Sequence, residues 1–424
     1  MIRNDKRVLS LDFWSILLYF LLLAWGWANI YAVDYRGDAM PWFDLNTQHG
    51  KQLLWIGISL FMGMLLLIID QKFYTTFAYF FYGMVILMLI AVLFLAPAVK
   101  GAHSWFQIGS FKLQPSELAK FATLLALARY LSGVQANMKY FKTKILALSI
   151  IMLPAIFILM QPDPGSVLVY LGLIIVLYRE AFPLWPVLIL LAIAALFLLT
   201  IWLGSIPVLV TLAIFFLLCI PFVLRTAKKR KSRLLLLTLL FSLTGAYTQF
   251  GVDAVFQHVL KEHHKNRINV LLGKKADRGA DYNVTQSKIT IGSGGLTGKG
   301  FLKGTMTKGE FVPEQSTDFI FSTLGEEWGF LGSTMVVLLF MAFMLRIIFL
   351  AERQRSRFSK IYAYGVLSIF LVHVLVNISM ALGIFPVVGI PLPFFSYGGS
   401  SLLGFSIMFF ILLNFDANRK TIFR

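Results

Sequence analysis

The sequence predicts an all-α polytopic membrane protein, a bundle of about twelve transmembrane helices with one large external loop. Three observations carry this expectation. Of 424 residues, 58% are hydrophobic and only 14% charged, against about 25% charged in a soluble domain; mean hydropathy is +0.78. The apolar residues form uninterrupted runs near the ~20-residue length that crosses a bilayer. The clusters of basic residues in the short loops lie on one side of the membrane once the spans are threaded.

The predicted spans are 13–33, 53–69, 74–98, 118–131, 145–160, 165–178, 183–203, 206–224, 234–252, 319–350, 361–384 and 400–414. The first follows Arg3, Lys6 and Arg7. Its apolar run is too long for a signal-peptide core and ends in no small-residue cleavage site, which predicts a retained span. Segments 118–131 and 165–178 are short and sit beside polar motifs, as expected near a water-filled cavity. With the N-terminus inside, Lys139, Lys142 and Lys144, the run from Arg225 to Arg233, and Arg353, Arg355, Arg357 and Lys360 are cytoplasmic. An even number of spans returns Arg419, Lys420 and Arg424 to that side, so both termini are predicted cytoplasmic.

The loop at 253–317 then lies outside, although it carries Lys261, Lys265, Arg267, Lys274, Lys275, Arg278, Lys288, Lys299, Lys303 and Lys308. Long loops translocate whatever their charge. A basic external loop suits either membrane headgroups or an anionic, lipid-linked substrate. The net charge of +18 does not point to nucleic acid, because no soluble basic domain accompanies it. No repeat, linker or soluble domain interrupts the chain, so residues 1–424 read as one membrane domain.

Several site classes are excluded. The single Cys219 permits neither an intrachain disulfide nor a cysteine metal site. The six histidines show no HExxH spacing, and no GxSxG elbow is present. Asp70 in "IIDQKF" reads as a turn residue.

Five polar stretches remain. In "KGAHSWFQIGSFKLQPSELAKFA" (100–122), Pro115 suits a helix start, Ser116 an N-cap, and Glu117 and Lys120 stand i,i+3 on one face. Charges at membrane depth favour function over mere capping. "MQPDPGSV" (160–167) reads as a tight turn holding Asp163. "QSKITIGSGGLTGKGFLKGT" (286–305) is not a Walker A loop, since Ser293 and Gly300 occupy the wrong positions; it is either a flexible loop or a backbone nest for phosphate beside Lys299. In "FVPEQSTDFIF" (311–321), Thr317 or Asp318 either caps the next helix or supplies a carboxylate under the basic loop. "GIFPVVGIPLPFFSYGGSSLLGF" (383–405) breaks the helix at Pro391 and Pro393 and turns through Ser396, Tyr397, Gly398 and Gly399, framing a lipid groove or allowing close packing.

Together these five ordered stretches resemble the conserved segments of the SEDS family, the RodA, FtsW and SpoVE proteins, over nearly the whole chain. "PVVGIPLPFFSYGGSS" looks more like the RodA branch. The resemblance implies a peptidoglycan glycosyltransferase of cell-wall elongation and cell shape in the bacterial inner membrane. It would polymerise lipid II, with undecaprenyl-diphosphate-linked glycan as its other substrate. A class B penicillin-binding protein transpeptidase would be its partner. Asp318 matches the family's essential loop aspartate, Glu117 and Lys120 its functional pair, and Trp105 its loop tryptophan. The family core has about ten spans, so 206–252 reads as an additional helix pair. Gln315 and Ser316 stand where many members have Arg-His. That change implies that Lys299, Lys303, Lys308 or a divalent cation (Mg or Mn) neutralises the diphosphate. Two other readings fit many spans with buried charge: a lipid II flippase, or a noncatalytic scaffold for the transpeptidase.

Overall fold

The computed structural model describes residues 11–36, 41–97, 104–108, 111–226, 230–260, 262–274 and 278–420. The N-terminal basic residues up to 10 and the last four residues lie outside this set, as do Lys228, Lys229, Lys261 and Lys275. The apolar runs become helices because a bilayer offers backbone N–H and C=O groups no partner except one another. Polar residues set the ends. Asp12 caps α1 (Phe13–Asp34) by accepting from the Ser15 N–H, Thr47 caps α2 (Gln48–Ile68), and Asp70 caps α3 (Gln71–Leu95).

A two-stranded antiparallel hairpin follows, β1 (Phe106–Ile108) with β2 (Phe111–Leu113), pairing Phe106 with Leu113. It delivers the chain to α4 (Pro115–Leu131). Next come α5 (Phe141–Met160), α6 (Pro164–Leu171) and α7 (Ile174–Arg179). Among the described residues ten helices are long and apolar enough to cross a membrane. The 17-residue α4 and the interrupted α6–α7 segment account for the two short predicted spans.

The described residues of 1–182 and 283–424 form one compact unit, and those of 183–282 another. The second holds α8 (Trp185–Leu203), α9 (Ser205–Thr226) and α10 (Arg230–Ala246), which π-helical turns extend to Val259, then α11 (Glu262–Leu271). The predicted additional pair corresponds to α9 and the extended α10. Phe216 and Phe241 meet edge to face, with ring centroids 5.4 Å apart. Much of the stretch expected as loop is therefore helical, and α12 (Arg278–Ser293) continues that pattern.

In the first unit α13 (Thr305–Lys308), α14 (Ile320–Glu352), α15 (Arg357–Ala381) and α16 (Gly399–Ala417) complete the chain. α15 and α16 form its interior, packed through Phe343, Phe370, Phe394, Phe405 and Phe409 around Tyr19 of α1. At one end, Asp12 pairs with Arg346 and Arg353, and Arg353 also reaches the buried Asp416 of α16 at 2.6 Å. Burial pushes the Asp12 carboxyl up, but hydrogen bonds from Arg346 and Ser15 outweigh it and hold the group well below the usual carboxylate range.

Candidate active site

The five polar stretches converge in the first unit. α4 begins at Pro115 with Gln114 at the cap position and no side-chain cap bond. Ser116 is therefore not the N-cap expected from the sequence; its hydroxyl lies 3.4 Å from that of Ser166. Proline at N1 already lacks the N–H that a cap would satisfy. Gln114 instead donates from Nε2 to Asp163 (2.9 Å), which caps α6 through the Ser166 N–H (3.0 Å). One carboxylate thus ties the QPS and QPDPG stretches together.

One turn into α4, Glu117 and Lys120 are almost fully buried. The Lys120 Nζ stands 2.7 and 2.8 Å from the two Glu117 oxygens and 3.0 Å from His373 Nε2. His373 Nδ1 lies 3.0 Å from the Pro391 carbonyl, a pure acceptor, so Nδ1 carries the proton and Nε2 accepts from Lys120. All three ammonium protons are thereby used, which is what a buried lysine requires. Lys120 also lies 5.2 Å from the Phe405 ring centroid.

Asp318 does not cap α14: Phe319 holds that position, with no side-chain cap bond, and the Thr317 hydroxyl donates to the Glu314 carbonyl. Asp318 is half-buried. Its carbonyl accepts from Asn377 Nδ2 at 2.9 Å, and the same amide donates to the Ile390 carbonyl at 2.7 Å. Its carboxylate reaches Gly389, where a Cβ would lie 3.1 Å from Oδ2 and where φ is +72°. Only glycine fits that conformation without strain.

At Thr317, the residue before Asp318, opens a cavity of about 390 Å³, lined also by Lys51, Trp55, Trp105, Lys112 and Tyr397 together with Leu45, Leu54, Gly398 and Gly399; Asp318 itself is not among its lining residues. Tyr397 is anchored by its N–H to the Ser316 carbonyl at 2.8 Å. Burial, then the nearby Asp34 carboxylate, push the Tyr397 hydroxyl above its ordinary value, so it stays protonated and able to donate. Gly398 N–H donates to Gln52 Oε1 at 3.2 Å, and the Ser396 hydroxyl accepts from the Leu392 N–H at 2.9 Å. The indole of Trp55 occupies the space a Gly399 side chain would need. The small SYGG turn is what lets α2 close the cavity wall.

The glycine-rich stretch has a different arrangement. Lys299 bonds Glu326 at 2.6 Å and Thr305 at 2.8 Å. The N–H groups of Lys299 and Gly300 donate to the Glu326 and Glu327 carbonyls, and Gly295 and Leu296 carbonyls accept from Phe330 and Leu331. These bonds clasp α14 where Gly329 interrupts it (φ 65°, ψ −161°). The donors expected to form a phosphate nest are committed to backbone. Buried Glu326 also accepts from the Met306 and Thr307 N–H groups, at 2.9 and 2.8 Å, holding α13. Lys303 is exposed, and Lys308 lies 5.1 Å from the Tyr35 ring centroid. None of these three lysines lines the cavity. Gln315 donates from Nε2 to the Thr307 carbonyl at 2.9 Å.

Trp105, Tyr397, Gly398 and Gly399 therefore meet around the cavity as the sequence suggests, whereas Lys51, Lys112, Trp55, His373 and Asn377 were not singled out. Signals for some existed. Lys51 sits in the first turn of α2, where the helix dipole opposes a cation, so its placement needs another reason. His373 and Asn377 are polar residues at i,i+4 in the apolar run "LVHVLVN".

A family profile described as "Cell cycle protein", covering FtsW, RodA and SpoVE, matches residues 13–421. The chain is 31% identical to peptidoglycan glycosyltransferase RodA of Treponema pallidum (strain Nichols) over 98% of its own length and 99% of that protein's. It is 32% identical to peptidoglycan glycosyltransferase MrdB of Escherichia coli (strain K12) over 85% of this chain and 84% of the relative. Among solved structures, it superposes with a TM-score of 0.69 on a chain from a peptidoglycan synthase complex. That match has 26% identity and covers 97% of this chain and 99% of the other. The Thermus thermophilus RodA crystal structure shares the fold, with a TM-score of 0.62 over 98% and 99% of the two chains at 24% identity. This chain is a multi-pass membrane protein and belongs to the FtsW/RodA/SpoVE family.

Proposed function

We propose that this chain is a peptidoglycan glycosyltransferase of cell-wall elongation that polymerises lipid II. The observation that carries the reading is the cavity at Thr317, one residue before Asp318, with two lysines, two tryptophans and a tyrosine in its wall. Lys51 and Lys112 suit a diphosphate, Trp55 and Trp105 suit sugar faces, and the membrane-spanning helices suit the polyprenyl tail.

In the reaction, the 4-hydroxyl of the acceptor N-acetylglucosamine attacks the anomeric carbon of the donor N-acetylmuramic acid. A carbon–oxygen bond forms as the bond to the diphosphate breaks, and undecaprenyl diphosphate leaves with the bonding pair. Asp318 takes the hydroxyl proton, a contribution of about 10²–10⁴-fold. Attack opposite the leaving group turns the α-linked donor into a β-1,4 glycan. Lys51 and Lys112 neutralise the departing charge, the part that the sequence assigned to Lys299, Lys303 and Lys308. Among the described residues no three His, Cys, Asp or Glu side chains gather to hold a metal ion. A divalent cation (Mg or Mn) would therefore be held chiefly by the diphosphate itself, and its need is one arm of the test below.

The reading puts the cavity on the outer face of the inner membrane, both termini in the cytoplasm and a class B penicillin-binding protein alongside to crosslink the strands. Its test is polymerisation of labelled lipid II by purified protein, with and without the transpeptidase and with added or chelated Mg²⁺. Asp318→Asn is expected to abolish strand formation. Wild-type rates in that variant would reject the assignment, and lipid II translocation without polymer would favour the flippase.

A further inference from the structure

Asp318 is a single carboxylate on an irregular segment, and something must hold that segment still. The Thr317–Asp318 peptide is not inside a helix, since α14 begins only at Ile320. Two clasps grip it. On one side the Tyr397 N–H donates to the Ser316 carbonyl at 2.8 Å. On the other, Asn377 Nδ2 donates to the carbonyls of Asp318 (2.9 Å) and Ile390 (2.7 Å). Both neighbours are acceptors only, so the amide nitrogen must face them. Asn377 is fully buried in α15; its nitrogen is paired while its Oδ1 has no partner among the described residues.

One turn earlier on α15, His373 grips the next peptide of the same break, at the Pro391 carbonyl (3.0 Å), while receiving Lys120 on its other nitrogen. Pro391 and Pro393 bring no backbone N–H to this segment; the Leu392 carbonyl accepts from the Phe395 and Ser396 N–H groups, whereas the Ile390 and Pro391 carbonyls are met by side chains. We propose that Asn377 is the positioning residue for Asp318, and that the buried Glu117–Lys120 pair acts on the same segment through His373. Both pairs of contacts fix the Ile390–Pro391 peptides, and Asn377 ties them to the Asp318–Phe319 peptide, whose N–H donates to the Glu314 carbonyl at 3.2 Å. Gly389 leaves room for the carboxylate beside them. Asn377 is not among the residues that line the cavity, so its effect is on the geometry of attack.

This inference rests on the reading of Asp318 as the base. The experiment measures kcat and KM for lipid II polymerisation by the full chain in complex with its transpeptidase. Variants are Asn377→Leu, Asn377→Ser, His373→Asn and, in parallel, Asp318→Asn. A displacement near 1 Å at a reacting group can cost about 100-fold. Asn377→Leu is expected to lower kcat by about ten- to 100-fold with KM for lipid II within about twofold. Asn377→Ser keeps one short donor and should fall between Leu and wild type; it reads the same split if the Leu variant does not assemble. His373→Asn loses the acceptor for Lys120 and should lower kcat with KM for lipid II unchanged; wild-type kcat in it would overturn the part given to the Glu117–Lys120 pair. Wild-type kcat in both Asn377 variants, or a KM that rises in step with the loss, would overturn the positioning role. Full activity in Asp318→Asn would instead remove the reading on which it rests.

Discussion

The interior helices of the first unit and the helices of the second obey opposite rules. In α15 and α16, 78% and 89% of the central window is buried, yet they are less apolar than α8 and α9, where 6% is buried. In a soluble protein the most hydrophobic helix is the most hidden. In a bilayer the tails are as apolar as leucine, so hydropathy marks the surface that meets lipid, and the interior can hold polar groups that pair. His373, Asn377, Asn414 and Asp416 all lie in the two most buried helices. The chemistry is therefore expected in the first unit, and the second unit's helices should tolerate change.

The largest effect that would break this contrast concerns Asp318. Asp318→Asn should cost about 10²–10⁴-fold in polymerisation rate, measured on gels of labelled glycan, while leaving the thermal midpoint nearly unchanged. Next comes the buried pair. Lys120→Met leaves the Glu117 carboxylate without its partner, a loss of about 3–5 kcal/mol that should appear as a sharply lower midpoint in detergent. Adding Glu117→Gln to that variant should recover part of it; no recovery would show that the pair's charge is not what matters.

The cavity lysines come third. Lys51→Gln and Lys112→Gln should each raise KM for lipid II roughly three- to tenfold, with the double variant worse and added salt mimicking the loss. An unchanged KM in both would return the diphosphate to other cations. A smaller change is expected at Asp12. Because its folded carboxyl titrates below the unfolded value of about 3.9, its pairing with Arg346 stabilises fully above that value and fades as pH falls beneath it. Asp12→Asn should lower the midpoint at neutral pH and flatten its acid dependence. The smallest effect lies in the second unit. Leu218→Ala or Leu235→Ala, at side chains 70% and 73% exposed, should shift stability by no more than about 0.5 kcal/mol. A large shift there would mean that a partner covers that face.

How much of this was legible from the chain depends on the range of the physics involved. Every predicted span found a helix, because bilayer length and apolar runs are local facts. The Glu117–Lys120 pair was legible because i,i+3 spacing is set by the helix itself. Ser116 misled as a cap because Pro115 had already started the helix. Lys299 misled as a diphosphate ligand because its partner, Glu326, lies 27 residues away, and Lys51 and Lys112 were passed over because nothing in their own segments marks a shared wall.

The sequence by itself determined the membrane class, the places where helices break, the separation of basic loops and the candidacy of Asp318. The first three follow from composition or from neighbours within a few residues, and the last from the resemblance of its motif to the family's. Only the tertiary structure decided which lysines face a cavity, which are spent on buried carboxylates, and that His373 and Asn377 hold the proline break beside Asp318. Those outcomes depend on donors and acceptors brought together from distant helices. A buried polar group must find such partners, and the chain order does not say which ones are within reach.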